Sequence, residues 1–390
     1  MEVKARAPGK IILAGEHAVV HGSTAVAAAI DLYTYVTLRL LPLQSGENDD
    51  KLTLQLKDMA LEFSWSMARL KELMNYTNIP CPSTPSSCSS QSLKSIAVLV
   101  EEQNIPEAKI WLSSGISTFL WLYAHIIGFK PATVVVTSEL PYGSGLGSSA
   151  ALSVALSAVL LAASNAVSLD ETRDGWSVPD KTSFDLLNRW AFEGEKIIHG
   201  KPSGIDNTVS TYGNMIKFRS GELTRLQSNI PLRMLITNTR VGRNTKALVA
   251  GVSERALRHP EAMASVFNAV DSISKELAAI IQSDEKGESS SIAEKEEKIE
   301  ELIEMNQGLL QSMGVSHASI ETVLRTTLKY KLASKLTGAG GGGCVLTLLP
   351  THVSGKMVDK VVEELESNGL QCFTASIGGS GVQICAREPN

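Results

Sequence analysis

The sequence predicts a two-domain α+β protein, with strands concentrated in its first part and long helices in its second. Three observations lead to this class. Alternating apolar residues mark strands within the first sixty-five residues. The β-branched run at 133–137 leads into a glycine-rich loop and then an apolar helix. After Pro231 the pattern changes to long helical periodicity. We therefore expect an N-terminal domain over 1–229 and a C-terminal domain over 230–390.

Composition excludes several classes of protein. Hydrophobic residues make up 43% of the 390 residues, which is enough to bury a large core. The net charge of −5 argues against a general nucleic-acid binder. Five scattered cysteines form no CxxC pair, which favours a reduced, cytoplasmic setting. No apolar signal core follows the basic N-terminal residues.

One uncharged apolar segment, 146–167, has about the length of a bilayer span. It begins in a glycine loop and carries five serines and one asparagine, so it predicts a buried core helix and no membrane association.

The individual elements follow from periodicity and from turn residues. Strands are predicted at 32–40, 52–56, 61–65, 133–137, 233–237, 345–349, 372–375 and 382–385. Helices are predicted at 114–127, 184–199, 263–281, 293–312, 320–332 and 353–368. Loops or surface insertions are predicted at 44–50, 81–92 and 165–182, and the charged run 284–301 is predicted to be a solvated loop that enters a helix.

The glycine loop at 143–151 reads GSGLGSSAA and lies between a strand and a helix. Its glycines permit positive φ, and the N–H groups at a helix start favour an anion such as a phosphate. Ser148 and Ser149 can cap that helix or reach a phosphate-bound Mg²⁺. The spacing matches neither the Walker pattern nor the dinucleotide fingerprint. A tight loop with a serine cap is the alternative without function.

Carboxylates near residue 200 supply candidate metal and base groups. Glu195 lies on the apolar edge of a predicted helix, so it needs a cation or a metal as its partner. His199, four residues on, can pair with it, but a zinc site lacks a third ligand. Mg²⁺ suits Glu195 together with Ser149. Asp206 follows the turn GKPSG and, taken alone, is equally well a helix cap.

These motifs together resemble those of the GHMP kinases. PYGSGLGSSAA is similar to the nucleotide loop of that superfamily, and KLTGAGGGGC at 335–344 to its third motif. APGKIILAGEHAVVHG at 7–22, PSGIDN at 202–207 and NTRVGRNTKALV at 238–249 resemble the mevalonate kinase branch. Val19 and Val20 stand where galactokinases carry an acidic residue, which disfavours a sugar substrate.

The resemblance implies a fold and a reaction. The fold would be the GHMP kinase fold, with an N-terminal α/β domain like domain 2 of ribosomal protein S5 and a C-terminal ferredoxin-like α/β domain. The active site would lie in the cleft between them. The reaction would be transfer of a phosphoryl group from ATP, with Mg²⁺, to the primary hydroxyl of mevalonate in isoprenoid biosynthesis.

The resemblance also assigns roles to residues. Asp206 becomes the catalytic base and Lys10 its cationic neighbour, which also stabilises the transferring phosphoryl group. The remaining assignments are the nucleotide residues (Lys10, Ser138, Gly143, Ser144, Gly145, Leu146, Gly147, Ser148 and Ser149), the Mg²⁺ ligands (Ser149 and Glu195) and the substrate residues (Glu16, His17, Ser203 and Thr245). Thr245 can alternatively cap the helix that follows it. A homodimer and inhibition by prenyl diphosphates are further implications.

Two alternatives remain open at the level of sequence. Another GHMP kinase would phosphorylate phosphomevalonate, homoserine or a sugar. A catalytically silent nucleotide-binding sensor would lack turnover, although the intact Lys10, Glu195 and Asp206 argue against it.

Overall fold

The computed structural model describes residues 1–41, 50–74, 80–170, 175–228, 230–283 and 291–387. The strands are Glu2–Ala14 (β1), Ala25–Leu40 (β2), Lys51–Leu56 (β3), Leu61–Ser66 (β4), Ala132–Ser138 (β5), Met215–Arg219 (β6), Glu222–Leu226 (β7), Leu232–Asn238 (β8), Ser334–Leu336 (β9), Cys344–Leu348 (β10), Gln371–Ile377 (β11) and Gln383–Arg387 (β12).

The helices complete the element order. They are Met67–Met74 (α1), Ser90–Glu101 (α2), Ser113–Ile126 (α3), Ser148–Ala163 (α4), Lys181–His199 (α5), Ile205–Tyr212 (α6), Thr245–Arg258 (α7), Pro260–Gln282 (α8), Ile292–Met313 (α9), Ala318–Lys329 (α10) and Gly355–Ser367 (α11). Within the ranges given above, no helix combines the length and the apolar character that a bilayer span requires.

Strands from both halves of the chain join into one sheet. Its main order is β4-β3-β5-β2-β11-β8-β10-β9. β1 lies between β2 and β12, and the β6–β7 hairpin extends from the first part of β2. β3 and β5 run parallel, whereas the other pairs are antiparallel. The mixed α+β class is confirmed, and the last strand returns to the first.

The apolar helix behind the glycine loop is a core helix. α4 packs on β1 and β2 on one side and on α3, α5 and α6 on the other. Residues such as Val154, Leu156 and Leu160 are fully buried, and even Ser153 and Ser157 are inaccessible to solvent. The predicted buried helix is therefore confirmed, and its N-terminus is fixed by the sheet beneath it.

One predicted segment agrees with the structure and another differs from it. The charged run was predicted to be a loop that enters a helix at 293–312, and α9 begins at Ile292, where Ser291 and Glu294 form a reciprocal capping box. Residues 284–290 of that prediction lie outside the described ranges, as do 44–49 and 171–174 of two other predicted loops. The predicted loop 81–92 ends early, because Ser89 caps α2 through the backbone N–H of Ser92.

A buried ion pair ties the end of β1 to β9. The Lys335 ammonium contacts the Glu16 carboxylate, and both side chains are essentially inaccessible to solvent. Lys335 Nζ also donates to the carbonyl of Leu336 at 2.7 Å. Burial lowers the pKa of Lys335, and the Glu16 carboxylate opposes that effect. Residues more than three hundred positions apart are thus held together under the cleft described below.

We expect Lys335→Ala to destabilise the protein by about 3–5 kcal/mol, because it leaves the Glu16 carboxylate buried without its cation. Equilibrium urea unfolding measures the change. The exposed Lys298→Ala on α9 is the control and should be close to neutral. The double variant Lys335→Met with Glu16→Leu should recover much of the loss. A loss of stability in Lys335→Ala no larger than that in the surface control Lys298→Ala would contradict the assignment.

Candidate active site

One deep cleft collects most of the residues singled out in the sequence. Its volume is about 760 Å³. The N-terminal half supplies Lys10, the glycine loop and Asp206, and the C-terminal half supplies Arg243 and Gly338. The cleft therefore lies between the two halves of the chain, where a site that joins two ligands can be built.

Lys10 and Asp206 form the charged centre of this cleft. Lys10 is in β1, and Asp206 is in the first turn of α6, whose N-cap is Gly204. Lys10 Nζ lies 3.1 Å from Asp206 Oδ1, with side-chain exposures of 8% and 38%. The carboxylate is therefore reachable from the cleft while a nearly buried ammonium holds it. The interpretation of Asp206 as a helix cap is wrong.

The glycine loop is set against β1 at very close range. Gly143, Gly145 and Gly147 all have positive φ, between 69° and 85°. A Cβ at Gly147 would lie 2.7 Å from Lys10 Cγ. The backbone N–H of Lys10 donates to the carbonyl of Leu146 at 2.8 Å. The absence of side chains thus lets the loop rest on the strand that carries Lys10.

The loop leads directly into α4. Gly147 is the N-cap, in a left-handed conformation and without a side-chain cap bond. Ser148 and Ser149 are the first two helical residues and line the cleft. The alternative that a serine caps this helix is wrong. The uncapped N–H groups and the helix dipole instead favour an anion at this position.

Arg243 is a cleft residue to which no role was assigned from the sequence. Its Nη2 donates to the carbonyl of Ser144 at 3.1 Å and its Nη1 to that of Thr337 at 3.4 Å. A Cβ at Gly145 or Gly343 would overlap its guanidinium. Arg243 therefore joins the two glycine-rich loops across the cleft. In the sequence, Arg243 lies between the two glycine-rich motifs and within the segment 238–249. That position was the signal that could have identified it.

The second glycine run, 338–343, packs on backbone from elsewhere. Gly341 donates to the carbonyl of Val315 at 2.8 Å, and Gly343 to that of Val241 at 3.2 Å. Gly343 in turn accepts from both the backbone N–H and the hydroxyl of Thr239, at 2.8 Å each. The run is therefore a fixed connection between β9 and β10 that forms part of the wall of the cleft.

Glu195 lies behind the glycine loop with only hydroxyl partners and a distant histidine. Its Oε2 accepts from Ser149 Oγ at 3.4 Å and its Oε1 from Ser153 Oγ at 3.2 Å. His199 Nε2 is 3.0 Å from Ser149 Oγ and 3.7 Å from Glu195 Oε2. The predicted contact between Glu195 and His199 is confirmed.

Burial raises the pKa of Glu195 to about 8, and the negative charge of Asp206 adds to the effect. The hydrogen bonds from the two serines act in the opposite direction. Burial lowers the pKa of His199, so this imidazole is neutral at pH 7. A buried carboxylate beside a serine hydroxyl, with excess negative charge nearby, fits a hard divalent cation. In the described part of the chain no three His, Cys, Asp or Glu residues cluster as a zinc site would need.

Glu16 and His17, in the turn that follows β1, also line the cleft. Glu16 has one oxygen on Lys335, and its other oxygen has no partner among the residues that the structure describes. His17 adopts a φ of 60°, and its Nε2 lies 2.9 Å from the carbonyl of Ala339. Burial lowers the pKa of His17, so the ring is neutral at pH 7.

The remaining predicted residues divide between the cleft wall and its surroundings. Ser138 and Thr245 line the cleft. Thr245 is not the cap of α7, because Asn244 accepts from the backbone N–H of Ala247 in that role. Ser144 is buried with its hydroxyl on the carbonyl of Pro141, and Ser203 is exposed, with its hydroxyl accepting from Ile205. Their functional roles stay predictions.

An aromatic pair that sequence periodicity did not reveal stands at one end of the cleft. Trp111 and Tyr142 lie with their ring centroids 5.4 Å apart, and both are exposed. Leu112, Ile116 and Phe119 extend the same wall inwards. Nothing in the local pattern of either segment signalled this wall, because its two parts meet only in the folded chain.

Comparison with known proteins gives consistent results. The model for the GHMP kinases N terminal domain matches residues 115–214, and the model for the GHMP kinases C terminal matches residues 290–356. A mevalonate kinase from Arabidopsis thaliana is 76% identical over 386 residues, which cover 99% of this chain and 100% of the relative. The mevalonate kinase of Homo sapiens is 41% identical, over 97% of this chain and 93% of the relative.

A solved structure matches the fold as well. The crystal structure of L. major mevalonate kinase in complex with R-mevalonate superimposes with a TM-score of 0.69. It is 22% identical, and the match covers 97% of this chain and 96% of the other.

We expect Glu195→Gln to raise the melting temperature of the metal-free protein at pH 8 and to leave it nearly unchanged at pH 5. The folded-state pKa of Glu195 lies above its ordinary value, so wild-type stability is full below about pH 4.5 and declines as pH rises towards 8. The decline has a limiting slope of roughly 1.4 kcal/mol per pH unit. Glutamine does not ionise and avoids it.

Thermal unfolding at both pH values measures this difference, with the exposed Glu276→Gln of α8 as the control. A Glu195→Gln protein that is less stable than wild type at pH 8 would show that burial does not disfavour the Glu195 carboxylate.

Proposed function

This chain belongs to the mevalonate kinase family of the GHMP kinases, and on that premise we propose that it transfers the terminal phosphoryl group of ATP to the primary hydroxyl of mevalonate. The observation that carries the proposal is the position of Asp206. Its carboxylate shares one cleft with the glycine loop and is held 3.1 Å from Lys10. Phosphoryl transfer to an alcohol requires a general base and an anion-binding loop that face the same space.

Asp206 acts as the general base. It accepts the proton of the attacking hydroxyl as the bond to phosphorus forms, a role that commonly contributes about 10²–10⁴-fold. Its partly exposed carboxylate can reach a substrate, and the Lys10 ammonium, 3.1 Å away, holds it in place. His199 is a poorer candidate, because its ring already contacts the Ser149 hydroxyl.

Lys10 and the glycine loop stabilise the phosphates. The backbone of residues 143–149 and the start of α4 receive the anionic groups, because their N–H groups are free of side-chain caps. Lys10 lies between this loop and Asp206, where a positive charge compensates the charge on the transferring group. Positioning and charge compensation supply most of the rate acceleration in this class of reaction.

Ser149 and Glu195 would hold Mg²⁺. When bound, the ion neutralises phosphate charge and orients the nucleotide. The fit rests on Glu195, whose buried carboxylate has two serine hydroxyls and a neutral histidine as its neighbours. Carboxylate and hydroxyl oxygens are the protein ligands that Mg²⁺ prefers beside phosphate.

The acceptor lies near Glu16, His17 and Thr245, which line the cleft beyond Lys10. Val19 and Val20 line the same region and offer no hydrogen bonds to sugar hydroxyls, which favours mevalonate over a sugar. Ser203 lies outside the cleft wall and contributes at its edge. Homodimer formation, a cytoplasmic location and inhibition by prenyl diphosphates complete the proposal on the strength of family membership.

Asp206→Asn should lower kcat by at least two to three orders of magnitude, because the alcohol loses its proton acceptor. ATP affinity should change little, since the glycine loop and Lys10 remain. ADP release with saturating mevalonate measures turnover, and titration with a fluorescent ATP analogue measures binding. The exposed Asp359→Asn of α11 makes the same change of charge far from the cleft; it is the control and should keep wild-type kcat and nucleotide affinity. Wild-type turnover in Asp206→Asn would refute the role of Asp206.

The acceptor itself is tested with a panel. We expect ADP production from Mg-ATP with mevalonate and, at equal concentration, little with phosphomevalonate, homoserine or galactose. Nucleotide binding without ADP release from any acceptor would instead identify a silent sensor.

A further inference from the structure

We infer that Ser210 is a positioning residue that fixes the Asp206 carboxylate against Lys10, an inference that rests on the function proposed above. Ser210 is in α6, one helical turn after Asp206, and is 1% exposed. Its hydroxyl donates to the carbonyl of Pro8 at 2.6 Å. Pro8 precedes Lys10 by two residues in β1. Two contacts therefore join the same helix to the same strand.

The direction of this hydrogen bond is informative. A serine inside a helix usually donates to the carbonyl four residues back in its own helix. Ser117 of α3 does so, with its hydroxyl on Ser113 at 2.8 Å. Ser210 instead donates to another element. A hydroxyl that only filled space in α6 would not need a partner in β1.

The carbonyl of Pro8 is available because the ladder between β1 and β2 is interrupted at this point. The register shifts between Pro8 and Gly9. Three successive residues of β1 then serve the site: Pro8 accepts from α6, Gly9 admits the glycine loop, and Lys10 contacts both Leu146 and Asp206. At this irregular point of β1, α6, which carries Asp206, and the glycine loop contact neighbouring residues of the same strand.

α6 needs such ties because it has only eight residues. Helices this short are marginal on their own. Its other side is held by Asn188 of α5, which accepts from Asn207 at 2.7 Å and from Thr211 at 3.3 Å. These bonds connect α6 to α5 and leave its distance from β1 unspecified. The Ser210 hydroxyl acts together with the Lys10–Asp206 pair to fix α6 against β1, and it does so from the buried side.

The test is Ser210→Ala, with Tyr123→Phe as its matched control. Tyr123 also donates a hydroxyl to a backbone carbonyl at 2.6 Å, that of Lys130, and it lies outside the cleft wall. Both variants should lower the melting temperature to a similar, modest extent. Ser210→Ala should also lower kcat by roughly ten- to a hundredfold, because small displacements of a catalytic group are costly. Tyr123→Phe should keep wild-type kcat.

The pattern of constants separates positioning from general instability. For Ser210→Ala we expect the KM for ATP to stay within about twofold and the single-turnover rate of phosphoryl transfer to fall as far as kcat does. Ser210→Cys keeps the size of the side chain with a weaker donor and should give an intermediate kcat. It also serves if Ser210→Ala proves insoluble.

Wild-type kcat in Ser210→Ala or in Ser210→Cys would overturn the inference. So would a fall of kcat in Tyr123→Phe equal to that in Ser210→Ala. Failure of the proposed function gives a different result, because wild-type protein would then release no ADP, or Asp206→Asn would remain active.

Discussion

The contact between the Lys10 ammonium and the Asp206 carboxylate is the interaction on which the site depends. A nearly buried lysine is unfavourable without a nearby anion, and here that anion stands at the start of a short helix from a distant part of the sequence. β1 holds the lysine between β2 and β12, and α4 and α5 pack against α6. The sheet and its helices thus place two opposite charges beside a phosphate-sized space.

The second constraint is the close approach of backbones. Gly147 rests on the side chain of Lys10, and Gly145 and Gly343 rest on the Arg243 guanidinium. The glycines therefore do more than permit unusual loop conformations, because they let one cationic side chain from each half of the chain line the same cleft. Arg243 joins the two loops by donating to a carbonyl in one and to a carbonyl at the start of the other.

Much of this could be predicted from the sequence where the signal is local. The alternating runs gave β2, β3 and β4, and the uncharged run gave α4. The glycine loop, Lys10, Glu195 and Asp206 were expected together and do meet around one cleft or, for Glu195, directly behind it. The helix predicted at 293–312 agrees with α9 to within one residue at each end, and the capping box at Ser291 and Glu294 explains why its charged first turns are helical. Arg243, Ser210 and the pair Trp111 and Tyr142 owe their significance to partners far along the chain, which periodicity does not report.

The pairing of β12 with β1 bears on how the protein is made. Lys4 in β1 lies opposite Cys385, so the strand that carries Lys10 gains its second neighbour from residues 383–387. During synthesis, domains usually fold as their residues leave the ribosome. Here the edge of β1 along residues 2–6 stays unpaired until residues 383–387 are available. A chain that ended before residue 383 would leave the backbone N–H and C=O groups of this edge open to pairing with another strand.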